Sequence, residues 1–193
     1  MSAQGPVLIK GMAIRSTLDW IQRTQGRPAA EQILSRIDQP LRDQLAQTKP
    51  SDWRPIELFS ALLEAYVHSS YCPQDQIETQ LKTLGTYIAE SNLTTVYRVM
   101  LAFVKPDTYA RHIPRLWGEY FKGLTATVEY TDTHAARNLT YPLNGCKYLS
   151  PCVVGWTEFA YRHVGARYAD VRELNFSLTN PAPDVFDIRI EWR

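Results

Sequence analysis

The stretch Leu116-Trp117-Gly118-Glu119-Tyr120-Phe121-Lys122-Gly123-Leu124-Thr125-Ala126-Thr127-Val128-Glu129-Tyr130-Thr131 holds the transition on which the fold turns. Up to Gly123 the apolar residues Tyr109, Ile113, Leu116, Trp117, Tyr120 and Phe121 recur at helical spacing. Beyond it, Leu124, Ala126, Val128 and Tyr130 alternate with Thr125, Thr127, Glu129 and Thr131, the signature of a half-buried strand. A helix cannot gather the second pattern on one face, and a strand cannot gather the first. The chain is therefore expected to pass from a helical part, about residues 1–122, into a strand–helix–strand part, about residues 123–193.

Upstream, Val7-Leu8-Ile9-Lys10 is a short apolar run ended by Gly11, read as a strand or an extended entry segment. Ile14, Leu18 and Ile21 form one stripe of a helix. Gly26 and Pro28 read as a C-terminal stop followed by a new start. Ile33, Ile37, Leu41 and Leu45 continue a stripe that Pro40 divides into two short helices. Trp53-Arg54-Pro55 reads as a punctuated linker. A strong helix with Phe59, Leu62, Leu63, Tyr66 and Val67 follows, and Tyr71-Cys72-Pro73 ends it. Ile77, Leu81, Leu84 and Ile88 mark another helix. Val96, Tyr97, Met100, Leu101 and Val104 mark one more, and Pro114 predicts a kink or a helix start within the segment that closes at Gly123.

Downstream, Leu139, Tyr141 and Leu143 alternate and read as the inward face of a second hairpin strand. A helix is predicted from about Pro151 to Val164, stopped by Gly165. Strands are predicted over Val171 to Leu178 and over Phe186 to Trp192, joined by the turn Asn180-Pro181-Ala182-Pro183-Asp184. The expected fold class is α+β, an N-terminal helical layer packed on one face of a mostly antiparallel four- or five-stranded sheet. Residues 1–193 are expected to form a single domain, since a chain of 193 residues suits one.

Composition narrows the function. The chain is 45% hydrophobic and 21% charged, globular rather than disordered. Lys plus Arg number 21 against 20 Asp plus Glu, a net charge of +1, which argues against broad phosphate neutralisation on nucleic acid and against a polybasic membrane anchor. Lys10, Arg15 and Asp19 interrupt the N-terminal apolar run, so a signal peptide is not expected. No stretch reaches the ~18 consecutive apolar residues of a spanning helix, and no membrane insertion is expected. Three cysteines, Cys72, Cys146 and Cys152, are sparse and odd in number, which points to reduced thiols and a cytoplasmic protein.

Catalytic signals are missing. The nucleophile elbow, the P-loop and the dinucleotide fingerprint do not occur. The histidines His68, His112, His134 and His163 have no His or Cys partner at ligand spacing, and the separation of Cys146 from Cys152 fits no common zinc pattern. His163 and Glu158 are not spaced to share a helix face, and Arg111-His112-Ile113-Pro114-Arg115 is a small basic cluster that suits contact with an anionic group and a solvated helix face equally. A thiol at a helix start gains acidity, which leaves Cys152 as a candidate reactive group. No catalytic residue, metal ligand or cofactor is assigned, and an enzyme is not expected. The aromatic residues are more informative: such side chains fill cores, and they also line apolar pockets whose few polar ends orient a guest.

Several short segments, taken in order, resemble a family of similarly sized proteins expanded in myxobacteria and related to the 4-vinyl-reductase-like sensor domains. They are Ile9-Lys10-Gly11 leading to Trp20; Asn92-Leu93-Thr94-Thr95-Val96-Tyr97-Arg98; Pro114-Arg115-Leu116-Trp117 with Tyr120-Phe121 and Gly123; Cys152-Val153-Val154-Gly155-Trp156 with Gly165; and Glu191-Trp192. That group shares a fold class with haem–nitric-oxide sensors and Golgi-tethering subunits. Sensor domains of the group often carry a C-terminal cysteine pair, but Asn175 to Phe186 holds no cysteine. The haem relatives carry a Tyr-x-Ser-x-Arg clamp, and this chain has none. The resemblance implies a non-enzymatic sensor or signalling module that binds a small apolar molecule, without haem or zinc. The residues assigned to that ligand are Tyr97, Met100, Trp117, Tyr120, Cys152 and Trp156. The alternative is a homodimeric adaptor that meets its partner through the Ile77, Leu81, Leu84, Ile88 stripe or through an edge strand.

Overall fold

The computed structural model describes residues 6–93, 104–143, 145–181 and 184–193. The apolar run after Pro6 forms strand β1 (Leu8–Lys10). Helix α1 (Gly11–Gln25) follows directly and turns Ile14, Trp20 and Ile21 inward. Gly26, with φ 81°, ends it, and Pro28 sits in the first turn of α2 (Arg27–Leu34). Helix α3 (Gln39–Gln47) is separate, as Pro40 predicted. Trp53-Arg54-Pro55 is not a linker. It is strand β2 (Trp53–Pro55), paired antiparallel with β1, Ile9 opposite Arg54. Helix α4 (Ile56–Val67) is apolar almost all round and runs through the core.

Helix α5 (Ile77–Asn92) buries its stripe: Ile77, Leu81, Leu84 and Ile88 are each at most 5% exposed. The stripe is therefore core, and it offers no surface to a second copy. Helix α6 (Pro106–Tyr120) begins at Pro106 and continues through Pro114, which lies on its exposed face. It leads into the two-residue strand β3 (Phe121–Lys122), which pairs with β1 and completes a small sheet in the order β2-β1-β3. Gly123 follows with φ 80°, a left-handed conformation that glycine adopts without steric cost. At this turn the chain leaves the helical layer, as the change of period predicted.

Strands β4 (Thr125–Asp132), β5 (Ala135–Tyr141), β6 (Ala169–Glu173) and β7 (Phe186–Trp192) form an antiparallel sheet in the order β4-β5-β7-β6. Helix α7 (Leu149–His163) lies between β5 and β6 in sequence and packs most extensively on α5. The protein is α+β, with helices over one face of the larger sheet. Phe186, Ile188, Ile190 and Trp192 are all buried to 1% exposure or less, each adding roughly 1.5–3 kcal/mol.

The phase of β5 is the reverse of the one its apolar residues suggest. Ala136, Asn138 and Thr140 face the helices, while Tyr141 is 39% exposed. Pairing decides this: Asn138 stands opposite both Val128 and Ile188, and Thr140 opposite both Ala126 and Phe186. A shift of one residue would turn the strand over. The register of β4 and β7, both strongly patterned, overrides the weak pattern of β5.

The same cross-strand row continues from Val128, Asn138 and Ile188 to Glu173 on β6. Burial pushes the carboxyl of Glu173 up from the ordinary 4.5 to about 8, and Asp187 nearby adds to the shift. The folded chain thus keeps a proton there that the unfolded chain has released. Stability is therefore expected to fall as pH rises from about 4.5 to about 8. Glu173→Gln removes this dependence and is more stable than the parent above that window. Melting temperatures of both proteins at about pH 5 and about pH 9 check it; identical pH profiles would refute the assignment.

Candidate functional site

The helices and the small sheet meet around an apolar cavity of about 40 Å³. A single water needs ~10–15 Å³ on this measure, so the space admits a guest of a few heavy atoms. Its wall is built by Ile9 of β1, Ala13 of α1, Phe59 of α4, Gly85 and Ile88 of α5, Tyr109, Ile113, Leu116, Trp117 and Tyr120 of α6, Phe121 of β3, and Leu149, Cys152, Val153, Trp156 and Thr157 of α7.

The crossing of α5 and α7 closes one side. A Cβ on Gly85 would stand 1.8 Å from the carbonyl oxygen of Cys152, and one on Gly155 would stand 1.9 Å from that of Lys82. Only glycine permits this approach. Thr86 donates its hydroxyl to the carbonyl of Gly155 at 3.3 Å, and Lys82 pairs with Glu158 across the crossing. Glu158 also pairs with Arg162 at 2.8 Å, so its partners are cations and not His163, which stacks on Phe159.

Aromatic rings form the other side. Trp117 and Trp156 stack at 6.3 Å with 24° between planes, and Tyr120 meets Trp156 edge-on at 5.5 Å. Trp117 also contacts Phe121 at 5.0 Å and Phe186 of the large sheet at 6.5 Å. Tyr109 is fully buried and meets Tyr161 edge-on at 4.9 Å. The indole N–H groups of Trp117 and Trp156 and the hydroxyl of Tyr109 are buried, with no hydrogen-bond partner among the described residues.

Of the six residues assigned to a ligand from sequence, Trp117, Tyr120, Cys152 and Trp156 stand around this one cavity. Tyr97 and Met100 lie outside the described residues. Tyr109, Phe59, Ile88 and Gly85 were not assigned to it. The first three sat in helical stripes that read as core, and nothing local marks Gly85 as a helix crossing. Cys152 is buried, which argues against a reactive thiol. Burial holds its pKa far above the ordinary thiol value, as it does for Cys146, and its S–H donates to the carbonyl of Tyr148 at 3.6 Å. Among the described residues no three His, Cys, Asp or Glu side chains gather as a metal site, and no helix is long and apolar enough to cross a membrane.

No protein-family model matches the chain, and no curated protein matches it. Solved structures do match in shape. The Fe(II) unliganded H-NOX protein from K. algicida superposes with a TM-score of 0.72 at 12% identity, over 96% of this chain and 97% of that one. The S. oneidensis H-NOX protein in the Fe(II)NO ligation state gives a TM-score of 0.66 at 11% identity, over 96% and 99% of the two chains. A mutant H-NOX from T. Tengcongensis gives 0.64 at 9%, over 96% and 98%. The chain therefore has the H-NOX fold, and at these identities the likeness is one of fold alone.

A haem does not fit the residues present. All four histidines are among the described residues, and none lines the cavity. The tyrosine and thiol groups that could ligate iron are held in their neutral forms by burial, Tyr109 and Cys152 foremost. Among the described residues no lysine or arginine lines the wall to meet a porphyrin's carboxylates, and a porphyrin is larger than the space.

Proposed function

We propose that this chain is a non-enzymatic sensor or signalling domain that takes up a small apolar molecule at the junction of its helices and small sheet. The observation that carries this reading is the cavity itself: a wall almost wholly apolar, ringed by Trp117, Tyr120, Cys152 and Trp156, in the middle of the fold. One solved neighbour is named for its Fe(II)NO ligation state, so the same fold elsewhere holds a small ligand. On this reading residues 1–193 act as one domain, cytoplasmic, related to the 4-vinyl-reductase-like sensor domains, and in no need of a nucleic-acid partner.

Uptake couples to stability by mass action. A guest at a hundredfold excess over its Kd stabilises the fold by about 2.7 kcal/mol, which corresponds to a rise in melting temperature of roughly 5–11 °C for a chain of this size. Xenon under pressure and small neutral organic molecules are the probes, with thermal melting and native mass spectrometry of the purified chain as readouts. A melting temperature unmoved by every probe refutes the reading.

The adaptor reading retains one observation in its favour. Leu174, Leu178 and Val185, between β6 and β7, are 52%, 46% and 36% exposed. A homodimer formed through this connection would appear in light scattering and would dissociate on Leu174→Lys, while a monomer at high concentration excludes it.

A further inference from the structure

Three residues that line the cavity carry hydrogen-bond donors without an acceptor among the described residues. The indoles of Trp117 and Trp156 can only donate, and their N–H groups are buried without a partner among the described residues, as is the hydroxyl of Tyr109. Some such groups elsewhere are satisfied, although the hydroxyl of Tyr161, away from the wall, is also buried without a partner among the described residues. The indole of Trp192 donates to Asp107 at 2.8 Å, and the hydroxyls of Tyr66 and Tyr71 donate to Gln80 and Gln32. A buried donor without an acceptor carries its full desolvation cost, so three around one cavity make its interior a place where an acceptor is favoured.

Among the described residues no Lys, Arg, His, Asp or Glu lines the wall, and an ion could not leave water for such a wall without a partner. A hydrocarbon would fill the space yet leave the donors unpaired. An alcohol would bring an O–H of its own that needs an acceptor in an apolar surround.

We propose that the cavity selects small neutral molecules that accept hydrogen bonds and donate none, the ketone and aldehyde class, over hydrocarbons and alcohols of the same heavy-atom count. This rests on the uptake proposed above and adds the chemistry that the guest must have. The donors discriminate through the guest's oxygen, and the apolar wall sets its size.

The test is a titration of the intact 15N-labelled chain with acetone, isobutene and 2-propanol, three probes of the same heavy-atom count. Acetone is expected to bind about tenfold more tightly than isobutene, one tenfold step being the scale of one or two net hydrogen bonds. That order reverses the ease with which the two leave water. Two indole N–H resonances, identified by their loss in Trp117→Phe and Trp156→Phe, should move downfield with acetone and stay still with isobutene. Isobutene binding as tightly as acetone, or acetone binding with both resonances unmoved, overturns the selectivity while leaving uptake intact. If none of the three binds, uptake and selectivity both fall. The affinity order is read on the unaltered protein, so the test stands even where a Trp→Phe variant fails to fold.

Discussion

Gly155→Ala lowers the melting temperature by roughly 2–12 °C, the consequence of an overpacking cost of about 1–3 kcal/mol. The new Cβ would stand 1.9 Å from the carbonyl oxygen of Lys82, and backbone, unlike the end of a flexible side chain, has nowhere to go. Helices α5 and α7 must separate, and their contact is the most extensive between any two described elements. Gly85→Ala strikes the same crossing from the other side, 1.8 Å from the carbonyl oxygen of Cys152. The two losses are expected not to add, because either one already opens the same interface. Gly118→Ala is the control. Gly118 lies on the exposed face of α6 with nothing within 4 Å of an added Cβ, and alanine there stabilises by about 0.5–1 kcal/mol through helix propensity. Circular-dichroism melts of the three variants decide it. A Gly155→Ala protein as stable as its parent would mean that the helices do not cross at this distance. Since Gly85 and Cys152 also line the cavity, the crossing variants should change guest affinity as well as stability.

Trp192→Ala is expected to cost about 3–5 kcal/mol, the range for deleting a fully buried aromatic side chain. Trp192 is 1% exposed although it is the penultimate residue of the chain. Its ring packs against Tyr161 of α7 at 5.2 Å and Tyr130 of β4 at 6.4 Å, and its indole N–H donates to Asp107 in the first turn of α6. The last strand thus ties the large sheet to α6 and α7, two of the helices that line the cavity. Trp192→Phe keeps most of the buried surface and loses the hydrogen bond, so its cost should be only about 1–2 kcal/mol. Urea melts of the two variants give the comparison. Equal losses for both would show that the hydrogen bond to Asp107, and not the packing, holds the strand in place.

Much of the fold was legible because burial leaves a period in the sequence. The last strand was read correctly from the alternation of Phe186, Ile188, Ile190 and Trp192 with charged residues, and the hinge from Gly123. Where the period is weak, the reading failed. Trp53-Arg54-Pro55 is too short to show alternation and contains a proline, so nothing local marks it as a strand; β1 makes it one by pairing with it. In β5 the apolar residues Leu139 and Tyr141 suggested the wrong inward face, because Asn138 and Thr140 are polar and yet buried. Their burial follows from the register imposed by β4 and β7.

The cavity divides along the same line. Residue types alone marked Trp117, Tyr120 and Trp156 as aromatic groups able to line a pocket, and the helical stripe put two of them on one side of α6. Whether those rings close on each other or leave a space is set by how α5, α6 and α7 are disposed, and no local pattern carries that information. The closeness of Gly85 and Gly155 to opposing backbone, the fate of the Ile77 to Ile88 stripe as core, and the unpaired donors of Tyr109, Trp117 and Trp156 are all relations between segments far apart in the chain. Periodicity reports which side of an element is buried, because that depends on solvent. It does not report what the element is buried against, because that depends on the packing of every other element around it.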